Sequence, residues 1–247
     1  MTALAGLLIA LIIGLTGIGG GVLTAPVLLL FLGLPAPQAV GTALVFVAVV
    51  KLFATPMFVV RKQVNYRVLA LLLAGGVPGA LLGSLFLTQL HRKGASGLML
   101  VLLGAIIVTS AAANFLRKSG AERHAQDKSK RLPWISLPIG IEVGFSSAGA
   151  GALGSLALMH WTTLTSAEIV GTDILFGLGL SAAAGSMHLS AGGVDTEVLR
   201  WLLAGGVPGA LAGAWLATIF PTRLLRKGLA VWLICLGVNL FYRGLTA

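Results

Sequence analysis

The chain has 247 residues, of which 57% are hydrophobic and 10% charged, and its mean hydropathy is +1.00. A soluble domain of this length carries about a quarter charged residues, so composition excludes an ordinary soluble protein and points to a single integral membrane domain. The net charge of +10 does not signal nucleic acid, because the basic residues sit in short loops between apolar spans, where the positive-inside rule places them.

In chain order, hydropathy predicts apolar stretches at 3–34, 38–60, 66–90 and 95–116, then at 134–160, 168–190, 197–220 and 227–242. The polar run Arg117–Arg131 separates the two sets. The expected organisation is a first membrane repeat over 1–116, a basic loop over 117–132 and a second membrane repeat over 133–247. The N-terminus is apolar without a basic leader region or a cleavage site, and reads as part of the fold. The lone cysteine, Cys235, excludes an internal disulfide.

The halves are copies at a spacing of 130 residues. Leu73-Ala74-Gly75-Gly76-Val77-Pro78-Gly79-Ala80-Leu81 returns at Leu203–Leu211, and Val40-Gly41-Thr42 returns at Val170-Gly171-Thr172. The glycine cluster Gly14–Gly21 corresponds to Gly144–Gly151. An apolar chain of two similar halves points to a transporter with its site between the repeats.

The first stretch of each half is about 30 residues, too long for one straight crossing of about 20. Its centre holds Gly14, Gly17, Gly19, Gly20 and Gly21. Each helical glycine costs about 1 kcal/mol relative to alanine. The stretch is therefore a broken helix that still crosses, or a re-entrant hairpin of two short helices. The hairpin gathers more of the basic residues on one side and leaves Asp195 and Glu197 on the other. The equivalent loops Arg61–Asn65, basic, and Ala191–Asp195, not basic, also belong in opposite compartments. The expected fold is all-α and polytopic, with two homologous four-segment halves as inverted repeats and broken or re-entrant glycine-rich first segments. In the third stretch of each half, Gly75, Gly79, Gly83 and Gly205, Gly209, Gly213 have small-xxx-small spacing. That spacing predicts close helix packing and permits a homodimer.

An interrupted helix exposes free N–H groups at the start of its second half, and these attract anions. The candidate substrate site therefore takes Gly17, Gly19, Gly20 and Gly21 from the first cluster, and Ser146, Ser147, Gly149 and Gly151 from the second. Thr42 and Thr172 join from the next spans. Thr16, Thr24 and Ser155 are further hydroxyl donors. If these glycines act otherwise, they permit close packing.

Lys51 is near the middle of its span. Placing Lys there costs about 2.5–3.5 kcal/mol, so such residues usually face a cavity and serve function. It can hold an anion, with its repeat equivalent Ser181 flanking the same site. Alternatively it snorkels, or pairs with Asp173 or Glu142. Asp173, Glu142 and His188 are candidates for a coupling proton, against structural roles as an ion pair, an interfacial carboxylate and an interfacial histidine. No metal constellation, Walker A sequence or catalytic triad is evident, so no cofactor, ATPase or hydrolase is expected.

Gly17-Ile18-Gly19-Gly20-Gly21 followed by Pro26, then Val40-Gly41-Thr42, the second glycine-rich span near Gly144, and His188 ahead of Gly193-Val194-Asp195 resemble the TauE/SafE family of sulfite-exporter-like anion permeases along essentially the whole chain. The second cluster departs from the pattern, with Ser147 and Ala148 where the first has Gly17 and Ile18. That departure bears on substrate more than on fold. The resemblance implies a secondary transporter of small anions, often sulfur-containing, in a bacterial cytoplasmic (inner) membrane. Expected partners are the anion and the lipid bilayer, with no nucleic acid. An anion channel on the same architecture is the alternative.

Overall fold

The computed structural model describes residues 2–16, 21–116, 128–148, 150–216 and 223–246. Among them it is all-helical: α1 (Thr2–Thr16), α2 (Gly21–Leu30), α3 (Ala36–Val60), α4 (Tyr66–Arg92), α5 (Ser96–Leu116), α6 (Leu132–Ser146), α7 (Ala150–Trp161), α8 (Ser166–Ser190), α9 (Thr196–Leu216) and α10 (Arg223–Leu245). Four helices are long and apolar enough to cross a membrane by length and composition: Ala36–Val60, Tyr66–Arg92, Ser166–Ser190 and Gly228–Leu245. The long first stretch of the second half divides into two helices at Ser147, whose φ of 62° and ψ of 0° are left-handed, and in the first half α1 and α2 lie on either side of residues 17–20, which are outside the described ones.

Helices pack across the repeats more than within them. Gly75, Gly79 and Gly83 of α4 press on the carbonyls of Pro133, Leu137 and Ile141 of α6. Gly205, Gly209 and Gly213 of α9 press on Ala3, Leu7 and Leu11 of α1, the equivalent positions. A Cβ at any of the six would overlap a backbone carbonyl, so glycine lets the helix axes close up. Lipid tails are as apolar as the protein interior, so burying Leu or Phe gives little drive here. Close packing and weak Cα–H···O contacts carry more of the association. The glycine rows expected to permit a dimer are thus taken up inside the chain.

These contacts fix relative directions. The registers 75/133, 79/137 and 83/141 make α4 and α6 parallel, and 205/3, 209/7 and 213/11 make α1 and α9 parallel. The equivalent helices α3 and α8 are antiparallel, with Gly41 against His188, Gly185 against Leu44 and Val45, and Gly171 against Gln63. The equivalent helices α5 and α10 are also antiparallel, with Gly104 against Gly237 and Phe241, and Gly244 against Gly97 and Val101. Phe46 and Phe176, both fully buried, fill the spaces over Gly206 and Gly76.

A pair of clasps closes the ends of the α3–α8 crossing. The backbone N–H of Asn65 donates to Thr172 Oγ1 at 3.0 Å, and that of Asp195 donates to Thr42 Oγ1 at 3.0 Å. Asn65 Oδ1 caps α4 through Val68 N at 3.1 Å, and Asp195 Oδ1 caps α9 through Val198 N at 2.9 Å. Each clasp therefore ties a helix of one repeat to the loop and helix start of the other. Thr42→Val and Thr172→Val should each destabilise the protein by about 1 kcal/mol, the net worth of one hydrogen bond. Thermal unfolding in detergent measures this, and an unchanged midpoint in both variants would remove the clasps from the account of stability.

Candidate anion site where α2 meets the break at Ser147

Gly21 opens α2 and is buried against Ser147 at the second break. A Cβ at Gly21 would overlap the Ser147 carbonyl and lie 2.5 Å from Ser147 Oγ. The start of α2 therefore meets the break at Ser147, although the two residues are 126 apart in sequence. Gly17, Gly19, Gly20 and Gly149 lie outside the described residues, as does the side chain of Thr16. Gly151 is buried in the first turn of α7.

The two serines at the second break do different work. Ser146 Oγ donates to the Glu142 carbonyl at 2.8 Å and accepts from Ala148 N at 3.1 Å, so it bridges the interruption. The backbone N–H of Ser147 closes the last turn of α6 on the Val143 carbonyl at 2.7 Å. Ser147 Oγ is buried and has no hydrogen-bond partner among the described residues. A buried hydroxyl left in this state costs about 1–3 kcal/mol, so it is a natural point for a ligand atom to attach.

Lys51 and Asp173 are 7% and 6% exposed, and are the buried groups of opposite formal charge among the described residues. Ser155 Oγ of α7 donates to Asp173 Oδ2 at 2.7 Å. Ser181 is buried. The 45/185 and 63/171 contacts bracket Lys51 and Ser181 on antiparallel helices, so both lie at one height of the crossing. Thr24, one turn into α2, is fully buried.

The remaining candidates make other contacts. The hydroxyls of Thr42 and Thr172 serve the clasps at the ends of the crossing rather than its centre. Glu142 Oε1 accepts a hydrogen bond from Ser110 Oγ of α5, which turns this carboxylate away from the break. His188 is buried in the last turn of α8, packed on Gly41 and Gly193 with the Gly144 carbonyl beside it. Fifteen residues of α8 separate it from Asp173, about 22 Å along a helix. Its Nε2 has no partner among the described residues. Among the described residues no group of three or more His, Cys, Asp or Glu could hold a metal ion.

Sequence reasoning overlooked Asn65 and Asp195, which anchor the clasps, and Ser84, whose Oγ donates to the Gly144 carbonyl at 3.1 Å. The first two carried a signal, since they are spaced 130 apart like Thr42 and Thr172. Ser84 carried none, because its equivalent is Ala214.

Comparison with known proteins agrees with this architecture over its full length. The family described as "Sulfite exporter TauE/SafE" matches residues 2–240. The chain is 34% identical to "Probable membrane transporter protein YjnA" of Bacillus subtilis (strain 168), over 96% of this chain and 97% of that one. It is 26% identical to "Probable membrane transporter protein YunE" of the same organism, over 97% and 96%. It is 25% identical to a "Probable membrane transporter protein" of Xylella fastidiosa (strain 9a5c), over 96% and 92%. No solved structure gives a significant match. A match that takes in both helix breaks and both clasps, in relatives of the same length, makes this chain an integral membrane transporter protein of the sulfite exporter TauE/SafE family.

Proposed function

We propose that the protein is a secondary transporter of small anions, best suited to sulfur-containing oxyanions and organosulfonates such as sulfite and sulfoacetate. It works by alternating access around a site between the repeats, in a bacterial cytoplasmic membrane. The observation that carries the reading is the contact of Gly21 with Ser147. It brings the start of α2, the N–H end of a helix with its positive dipole, to a break that holds a buried hydroxyl without a hydrogen-bond partner among the described residues. Lys51 supplies the formal positive charge and Ser181 a second hydroxyl. Tetrahedral sulfur–oxygen groups suit such a site, because they present several acceptor oxygens to donors arriving from different directions.

Thermal stabilisation of the purified protein across sulfite, sulfate, thiosulfate, sulfoacetate, taurine, acetate and chloride tests the reading. A ligand at 100 times its dissociation constant adds about 2.7 kcal/mol. A selective shift with a sulfur oxyanion or sulfonate is expected. No shift with any anion, in a folded sample, would leave the breaks as packing devices.

The alternating-access reading carries a topology. The helix α1 runs parallel to α9, and α9 starts where α3 starts, at the Thr42–Asp195 clasp. So α1 and α3 run the same way, and α2 must bring the chain back. The same holds for α6, α7 and α8. This supports two hairpins that enter and leave by one face, six full crossings, and repeats inverted across the bilayer. Reporter fusions at both ends should then place both termini outside, with the basic 61–67 loop and the 117–131 loop inside. Termini inside would overturn the hairpins.

A further inference from the structure

We propose that a cavity beside the first two turns of α9 holds the headgroup of a zwitterionic phospholipid with a primary amine, a phosphoethanolamine lipid. The cavity has a volume of about 480 Å³ and is lined by Thr196, Glu197, Arg200, Trp201 and Ala204. Sites for small ligands have volumes of about 300–1,000 Å³. The cavity is independent of the anion site, to which α9 contributes no residue.

Packing turns this cavity towards the bilayer. Gly205 and Gly209 of α9 lie against α1, and Gly206 lies against Phe46 of α3, so the lining residues occupy the remaining side of the helix. All five are exposed. They sit where α9 starts, beside the Thr42–Asp195 clasp, and a tryptophan such as Trp201 anchors a span at headgroup level. Further along the same stripe, at helical spacing, Ala204, Pro208 and Leu211 are exposed and apolar. A polar cavity that runs into an apolar track suits a lipid, whose head and chains are joined in that order. The N–H groups at the helix start do not enter, since Asp195 Oδ1 already caps α9 through Val198 N.

The lining carries one carboxylate and one guanidinium, Glu197 and Arg200, with no net charge between them. They are three residues apart, which sets their Cβ atoms about 5–6 Å apart on one helix face. Neither side chain makes an ion pair among the described residues. A guanidinium grips phosphate oxygens with paired N–H donors. An ammonium has three N–H donors for the Glu197 carboxylate, and its charge is also attracted to the face of an indole such as that of Trp201. An anionic phospholipid would satisfy Arg200 but meet repulsion from Glu197, and a choline headgroup has no N–H to offer the carboxylate. The corresponding residues of the other repeat are Tyr66, Arg67, Ala70, Leu71 and Ala74. They include no carboxylate, so the pair of charges is not a by-product of the duplication.

Native mass spectrometry and thermal unfolding of the full chain in detergent test the site. The protein is titrated with phosphatidylethanolamine, phosphatidylcholine and phosphatidylglycerol of the same acyl chains. The wild type should retain the ethanolamine lipid, and be stabilised by it, in preference to the other two. Arg200→Gln should weaken that binding by about tenfold or more. Glu197→Gln should bind the ethanolamine and choline lipids alike. Both variants alter exposed side chains, so their lipid-free unfolding midpoints should match that of the wild type, and the differences then report on the lipid. Equal retention of all three lipids by the wild type, a preference for either of the other two, or an ethanolamine preference that survives in either variant would overturn the proposal. So would protection by free phosphoethanolamine equal to that by the lipid, which would make the cavity a site for a soluble ligand.

Discussion

Lys51→Ala is expected to weaken anion-dependent stabilisation severely while leaving a folded, monodisperse protein. The ammonium is the formal positive charge in the buried centre of the described structure. Hydrogen bonds to charged groups are worth about 1.5–3 kcal/mol each, so its loss should weaken binding by about tenfold to a hundredfold or more. Folding should survive, because removing an intramembrane lysine also removes an insertion cost of about 2.5–3.5 kcal/mol. Thermal titration with sulfite and sulfoacetate reads the effect. An affinity equal to that of the wild type would take Lys51 out of the site and leave it as a structural counter-ion.

Gly21→Ala should be as damaging by a different route. The added methyl would meet the Ser147 carbonyl, which is backbone and cannot swing aside as a side chain would. The start of α2 must then move off Ser147 or a helix must shift, and overpacking of this kind costs about 1–3 kcal/mol. Binding should fall further than stability, because the start of α2 and the Ser147 hydroxyl no longer face one volume. Gly228→Ala is the matched control. It is a helical glycine with open space around its Cβ position, so the same change there should be neutral or stabilising by up to about 1 kcal/mol. Anion-dependent thermal shifts on both variants separate the outcomes. Normal binding by Gly21→Ala would mean that the contact of Gly21 with Ser147 is not part of the site.

Much of this architecture was legible in the residues because the chain repeats itself. The 130-residue spacing gave the correspondence of elements between the halves, though not which of them touch. The long glycine-rich stretches pointed to interrupted helices, because glycine weakens a helix interior and 30 apolar residues exceed one crossing, and the interruption of the second half is seen at Ser147. The GxxxG rows gave close packing but not its partner. Nothing in Gly75–Gly83 says that the partner is α6 of the other repeat rather than a neighbour or a second copy, since spacing encodes a smooth face and not what lies on it.

The candidate site was legible in part, for a related reason. Lys51 and Asp173 stand out because charge is expensive in an apolar span, and both are buried. Thr42 and Thr172 looked equally suitable beside repeated glycines, yet their hydroxyls accept backbone N–H groups from across the molecule. A threonine that binds a loop and one that binds a ligand have the same local sequence. Glu142 precedes the second break in sequence but points to α5, since one helical turn is enough to rotate a side chain to another face. Residue type announces a cost, and the packing decides which partner meets it.

The most direct test of the central claim is counterflow in proteoliposomes, with labelled sulfoacetate or sulfite outside and the unlabelled anion inside. Alternating access at one site between the repeats predicts saturable uptake that the internal anion accelerates, severely weakened in Lys51→Ala. Flux that rises linearly with concentration, without acceleration by internal anion, would contradict the carrier and favour a channel. Equal uptake by Lys51→Ala would contradict the site.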